Sequence, residues 1–250
     1  MILLKNGEEY KLMKKAGSIL AGTMEFLESK IAPGVSAQKL DAYAYDFIRK
    51  HGAEPAFLGF NNYKYTTCIS VNNEVIHGLP LKEKILHEGD IVSIDIGCSY
   101  RGYFADMAKT FPVGKVSEKR KLLIEVTEKS LIMGINSVKV GSHIGEIGFT
   151  VQTFVQKNGF SVVKNFVGHG IGLKLHEEPQ IPNFGESGNG PLIKTGMALA
   201  IEPMVNSGSD EVLTLSDGWT VVTKDGSDSA HFEHTVFVND QSVEILTLLF

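Results

Sequence analysis

One offset runs through the chain. Gly34, Gly52, Gly89 and Asp95 stand 107 positions before Gly141, Gly159, Gly196 and Glu202. In each half the first glycine separates two helical stripes, the second closes the later helix, and the third leads into a strand carrying the carboxylate. A single matched glycine pair is common by chance, whereas four landmarks in one register point to a duplicated unit. The chain is therefore expected to form two similar halves, each helix–helix–strands, over about residues 8–112 and 117–250 of a single domain, 1–250. Their equivalent carboxylates would meet across a pseudo-twofold axis, at the kind of seam where sites are commonly built. Residues 206–231, rich in Ser, Asp and Gly and containing Trp219, read as an insertion in the second half.

The local patterns supply the elements. Leu12, Ala16, Ile19, Leu20, Thr23, Met24 and Leu27 make a helical stripe over 8–30, which Pro33-Gly34 breaks. Ser36 can cap a second helix through Leu40, Ala44, Phe47 and Ile48. The spacing predicts strands at 65–71 and 91–97, with Val92, Ile94 and Ile96 alternating against Ser93, Asp95 and Gly97. Tyr100-Arg101-Gly102 can turn the chain into a strand holding Asp106, and helices are expected again at 118–137 and 143–158. The class is α+β.

In Gly168-His169-Gly170-Ile171-Gly172-Leu173-Lys174-Leu175-His176, glycine at every second position argues against a helix, since each costs about 1 kcal/mol there. Alternate glycines leave one side of an extended chain bare, so that another backbone or a substrate can come close. His169 would then stand in an open approach path, with His176 further along its wall.

Four carboxylates fall where strands should be apolar: Asp95, Asp106, Glu202 in Ala200-Ile201-Glu202-Pro203, and Glu233 in His231-Phe232-Glu233-His234-Thr235. Taken singly, each has an ordinary explanation in a strand-end salt bridge. Taken together, they have few basic residues nearby, and carboxylates are seldom buried unless paired or bound to metal. With His169 they form a mostly oxygen-donor set suited to two divalent ions bridged by carboxylates. Two such ions can share a water, lower its pKa and polarise a carbonyl, for which hydrolysis of an amide is the natural reaction. Glu202 is the candidate proton shuttle, and His77 and His176 are candidates to hold substrate.

These residues resemble the metal site of the type I methionine aminopeptidases, which have the pita-bread fold. The likeness is carried by Cys68-Ile69-Ser70 with His77-Gly78, Ser93-Ile94-Asp95-Ile96-Gly97, and Gly102-Tyr103-Phe104-Ala105-Asp106. It continues through Gly168-His169-Gly170-Ile171-Gly172, His176-Glu177-Glu178-Pro179, Ile201-Glu202-Pro203-Met204 and Phe232-Glu233-His234-Thr235, nearly the whole chain. The resemblance implies a central antiparallel sheet between the two halves of a single catalytic domain. It implies two divalent ions (Mn, Co, Fe or Zn) on Asp95, Asp106, His169, Glu202 and Glu233, with Asp106 and Glu233 bridging. It also implies that His176 steadies the oxyanion, that His77 contacts the peptide beyond the scissile bond, and that an apolar pocket for methionine is walled by Phe57, Phe60, Tyr63, Cys68, Leu175 and Trp219.

The sequence departs from the family's usual pattern at four of these positions. Phe57 stands where cysteine is common, Phe60 where tyrosine is common, Leu175 where an aromatic is usual, and His231 where glutamine is usual. Strand alternation would point His231 to the same face as Glu233. A partner of the site and a harmless surface substitution are both open for it, and the surface reading is the one carried forward.

The activity expected is removal of the initiator methionine from nascent chains with a small second residue, by a monomeric cytoplasmic enzyme meeting its substrates at polypeptide N-termini, with the ribosome one setting. Lys+Arg 24 against Asp+Glu 29, a net charge of −5 without a basic run, argues against nucleic acid and anionic membrane. No run of about 18 apolar residues suggests a membrane span, and Cys68 and Cys98 make no disulfide framework. The rivals are an Xaa-Pro peptidase or creatinase-like hydrolase, which would carry a separate N-terminal domain, and a binding protein of the same fold that has lost its ligands.

Overall fold

The computed structural model describes residues 2–249. Four helices carry the outer layers: α1 (Gly7–Glu28), α2 (Ala37–Lys50), α3 (Glu118–Ser137) and α4 (Gly145–Lys157). The starts of the first three are fixed by side chains. Asn6 and Glu9 form a reciprocal capping box on α1, while Ser36 and Ser117 accept from Lys39 N and Arg120 N at the heads of α2 and α3. The apolar stripe of α1 (Ala16, Leu20, Met24, Leu27) buries against Ile94, Ile96 and Met107, and α2 closes the same core with Leu40 and Ile48. In the second half Leu131, Ile135 and Ile147 meet Leu199, Ile201 and Val236 in an equivalent core.

The duplication is visible bond by bond. Gly34 N donates to Leu86 O and Gly141 N to Ile193 O; Leu86 N donates to Val35 O and Ile193 N to Ser142 O. Ala37 N to Lys84 O matches Ile144 N to Pro191 O, again 107 positions on. The landmark glycines share their backbone as well. Gly34 and Gly141 have φ 89° and 87°, and Gly89 and Gly196 have φ 92° and 86°, values that L side chains rarely adopt.

A nine-stranded sheet passes through both halves. Its central strands are Ile91–Tyr100, Tyr103–Pro112, Glu233–Val238, Ala198–Ile201 and Gly168–Gly170, neighbours in that order and all antiparallel. Arg101 (φ 51°) and Gly102 (φ 84°) make the tight turn of the first hairpin. Where the two halves meet, Glu233 pairs with Ala108 and His234 with Met107. The region expected as an insertion folds into a hairpin of Val212–Thr214 and Val221–Thr223. The second of these strands pairs with Glu74–Ile76, which brings Trp219 beside the first half. Among the described residues no helix is long and apolar enough to cross a membrane.

Candidate metal centre and substrate cleft

A cavity of about 750 Å³ opens over the sheet where the halves meet. Its floor is Asp95 from one strand of the first hairpin, Asp106 from the other, Glu202 just past Ala198–Ile201, Glu233 at the head of its strand, and His169 at the middle of Gly168–Gly170. One donor atom each from Asp106, His169 and Glu233 lies within 4.8 Å of the other two. The backbone of Asp106 is held in place by Thr235, whose Oγ1 accepts from Asp106 N and donates to Asp106 O, both at 2.8 Å.

The alternate glycines around His169 serve the approach of other backbone rather than of substrate. A Cβ on Gly168 would run into Ala200 O, and one on Gly170 into Glu178 O, so both positions are closed to any side chain. Gly97 plays the same part on the first hairpin. A Cβ there would come within 2.8 Å of Phe57 Cε1 and 3.3 Å of Asp106 Oδ1.

Burial dominates the electrostatics. It pushes the Asp95 carboxyl up to about 7, with His231 pulling it down and Glu202 adding to the rise. It pushes Glu202 up to about 8. Asp106 and Glu233 are held well above the usual carboxylate range, by burial first and then by the neighbouring acids. His169 falls to about 3 and His77 to about 4, mainly because a charged imidazole is disfavoured there, and His176 is lowered for the same reason. Asp95 Oδ1, Asp106 Oδ1 and Glu233 Oε1 are buried with no hydrogen-bond partner among the described residues. Buried acids short of donors, clustered with neutral imidazole, fit divalent cations, whose charge would offset the desolvation these groups otherwise suffer.

Beside the floor stands an apolar wall. Phe57, Tyr63, Cys68 and Leu175 are buried together, with Trp219 against them. The Tyr63 and Trp219 rings meet edge to face at 4.8 Å, and Tyr63 Oη donates to Thr67 O. Cys68 pairs with Asp95 across the sheet, and burial raises its thiol well above the ordinary value, so it stays protonated. Phe60 is 37% exposed and sits at the rim, its ring 5.1 Å from that of His176. His176 in turn lies 4.4 Å from the His169 ring, and His77, at φ 56° past the end of Glu74–Ile76, faces the same space. The ligand residues, His77, His176 and the wall residues named from the sequence all line this cavity.

His231 is not a surface residue: it is 2% exposed, because its strand pairs with Met204–Asn206, and its Nε2 lies 3.7 Å from Glu202 Oε2. Phe166, unremarked in the sequence, stacks edge to face on His77 at 5.8 Å; its place just ahead of the glycine-rich stretch was the available signal.

The profile of metallopeptidase family M24 matches residues 11–240. The chain belongs to this family. Within M24 it is 52% identical over 249 residues to the methionine aminopeptidase of Clostridium perfringens, with both chains fully covered. It is 49% identical over 247 residues to methionine aminopeptidase 1 of Bacillus subtilis, covering 99% of each. The crystal structure of methionine aminopeptidase from Thermotoga maritima superposes with a TM-score of 0.98 at 46% identity, covering 99% of this chain and 100% of that one. These likenesses put the chain in the methionine aminopeptidase branch of M24, with its pita-bread fold and its metallo-aminopeptidases, and the family implies a divalent metal cofactor.

Proposed function

We propose that the chain hydrolyses the bond after an N-terminal methionine, on polypeptides with a small second residue, with two divalent ions that Asp95, Asp106, His169, Glu202 and Glu233 would hold. The observation that carries this reading is one cavity joining a floor of buried carboxylates with unpartnered oxygens to an apolar wall of Phe57, Tyr63, Cys68, Leu175 and Trp219.

When bound, the ions supply Lewis acidity toward the scissile carbonyl and bring a water toward ionisation near neutral pH. Glu202 takes the proton of the attacking water and returns it to the leaving amine, a role open to a carboxylate in the cavity floor where the water would be held. His176, neutral at pH 7 because burial lowers its pKa, donates one N–H toward the developing oxyanion. His77, also neutral, lines the path of the peptide beyond the scissile bond and crowds the second side chain.

An unbranched thioether suits the wall, since sulfur gains from aromatic edges. Leucine branches one carbon too early for such a slot, although one misplaced methyl discriminates by only about 1–3 kcal/mol. The partners are the N-termini of newly made polypeptides in the cytoplasm, and the chain works as a monomer. A peptide panel read by mass spectrometry tests the reading. Met-Ala and Met-Gly peptides should be cut, and Met-Lys, Leu-Ala and Xaa-Pro peptides scarcely. Preferred release ahead of proline, with Met-Ala untouched, would overturn it.

A further inference from the structure

The duplication extends into the site itself. Past the insertion the offset between halves is 125: Val113 N donates to Asp90 O and Val238 N to Met197 O, while Val113 O and Val238 O accept from Gly89 and Gly196. On that offset Ala108 corresponds to Glu233, Thr110 to Thr235, and Asp106 to His231. The hydrogen bonds obey the correspondence. Thr110 Oγ1 accepts from His231 N and donates to His231 O, both at 2.9 Å, as Thr235 does for Asp106. His231 is thus presented from one side of the pseudo-twofold axis by the device that presents Asp106 from the other.

Its side chain ends against Glu202, which lines the cavity. Nε2 of His231 is buried without a hydrogen-bond partner among the described residues and lies 3.7 Å from Glu202 Oε2. The other oxygen of Glu202 lies 3.6 Å from His169 Nε2. Both separations are too long for hydrogen bonds. Two donors about 2.1 Å from one ion, at tetrahedral to trigonal angles, lie roughly 3.4–3.6 Å apart. Glu202 therefore stands between two imidazole nitrogens, each at about the spacing of donors that share a cation.

We propose that His231 is itself a donor of the metal centre, binding through Nε2 on the Glu202 side, so that the centre presents two imidazoles beside its four carboxylates. The inference rests on Glu202 being a ligand. A second imidazole shifts preference from Mn²⁺ toward Zn²⁺, Co²⁺ and Fe²⁺.

The test titrates the metal-stripped full chain with Co²⁺, followed by visible absorption, and with Zn²⁺ and Mn²⁺ by calorimetry, for the parent, His231→Gln and Glu202→Gln. His231→Gln should change the Co²⁺ bands and weaken one Zn²⁺ site at least tenfold, with Mn²⁺ affinity moved by less than about threefold. Unchanged Co²⁺ bands and Zn²⁺ affinity would overturn the proposal. Glu202→Gln binding Co²⁺ as the parent does would instead remove Glu202 from the ligand set. A readout that needs no variant is the count of exchangeable, paramagnetically shifted imidazole N–H resonances in the Co²⁺-loaded parent. Two are expected, and one contradicts the assignment.

Discussion

Lys5 Nζ meets Glu177 Oε2 at 2.6 Å, with both side chains 4% exposed. Nζ also donates to Leu3 O, and the second oxygen of Glu177 accepts from Lys174 N, so the N-terminal segment is tied to the loop that ends in His176. A Cβ on Gly172 would collide with Lys5 Cε, so this clamp requires the glycine. Removing one partner leaves the other charge buried, which typically costs about 3–5 kcal/mol. Lys5→Met should lose about that much in urea unfolding, and pairing it with Glu177→Leu should recover most of it. A single-variant loss under about 1 kcal/mol would contradict a buried pair.

Glu202→Gln should lower kcat at least about 10²-fold, since the amide can neither accept the water's proton nor bind a cation as a carboxylate does. Steady-state kinetics on a Met-Ala peptide, at saturating metal, measure it. A loss under about tenfold would assign the proton relay to another group.

His176→Ala should lower kcat by about 10²–10³-fold while KM changes little, because a donor aimed at the oxyanion binds the transition state more strongly than the substrate. A raised KM with kcat unchanged would make His176 a binding residue only.

The central architecture was legible because its demands are local. Only glycine suits the positive φ at residues 34, 89, 141 and 196, so the duplicated turns leave their mark at a fixed offset. Asp95, Asp106, Glu202 and Glu233 stand out because a carboxylate on a buried strand violates the usual pattern. His231 reads as a surface residue in the sequence because its burial comes from Met204–Asn206 pairing alongside and from Thr110, the symmetry mate of Thr235, neither of which shows in its own strand. The Lys5 clamp joins positions 172 apart in the chain, and an N-terminal lysine looks like any surface charge.

Metal and pH should be linked through the same acids. Asp95 and Glu202, raised in the fold to about 7 and about 8 from ordinary values of 3.8 and 4.5, hold protons that the unfolded chain has released. Stability from such groups is present at low pH and lost as pH rises through the folded pKa, at about 1.4 kcal/mol per proton per pH unit. The depressed imidazoles act oppositely but are neutral in both states above their ordinary 6.5. Scanning calorimetry of the metal-free protein should therefore show Tm falling from about pH 6.5 to about pH 8.5, and saturating Mn²⁺ should abolish the fall. A metal-free Tm that rises over this range would contradict burial as the cause of the shifts.

The central claim, a metal-dependent methionine aminopeptidase, is tested most directly by release of methionine from a Met-Ala-Ser peptide. The protein is stripped with a chelator, checked by elemental analysis, and then resupplied with Mn²⁺ or Co²⁺. The account predicts no turnover when stripped and restored release of methionine on addition of either ion. Full activity in the metal-free sample, or none with any divalent ion, would contradict it.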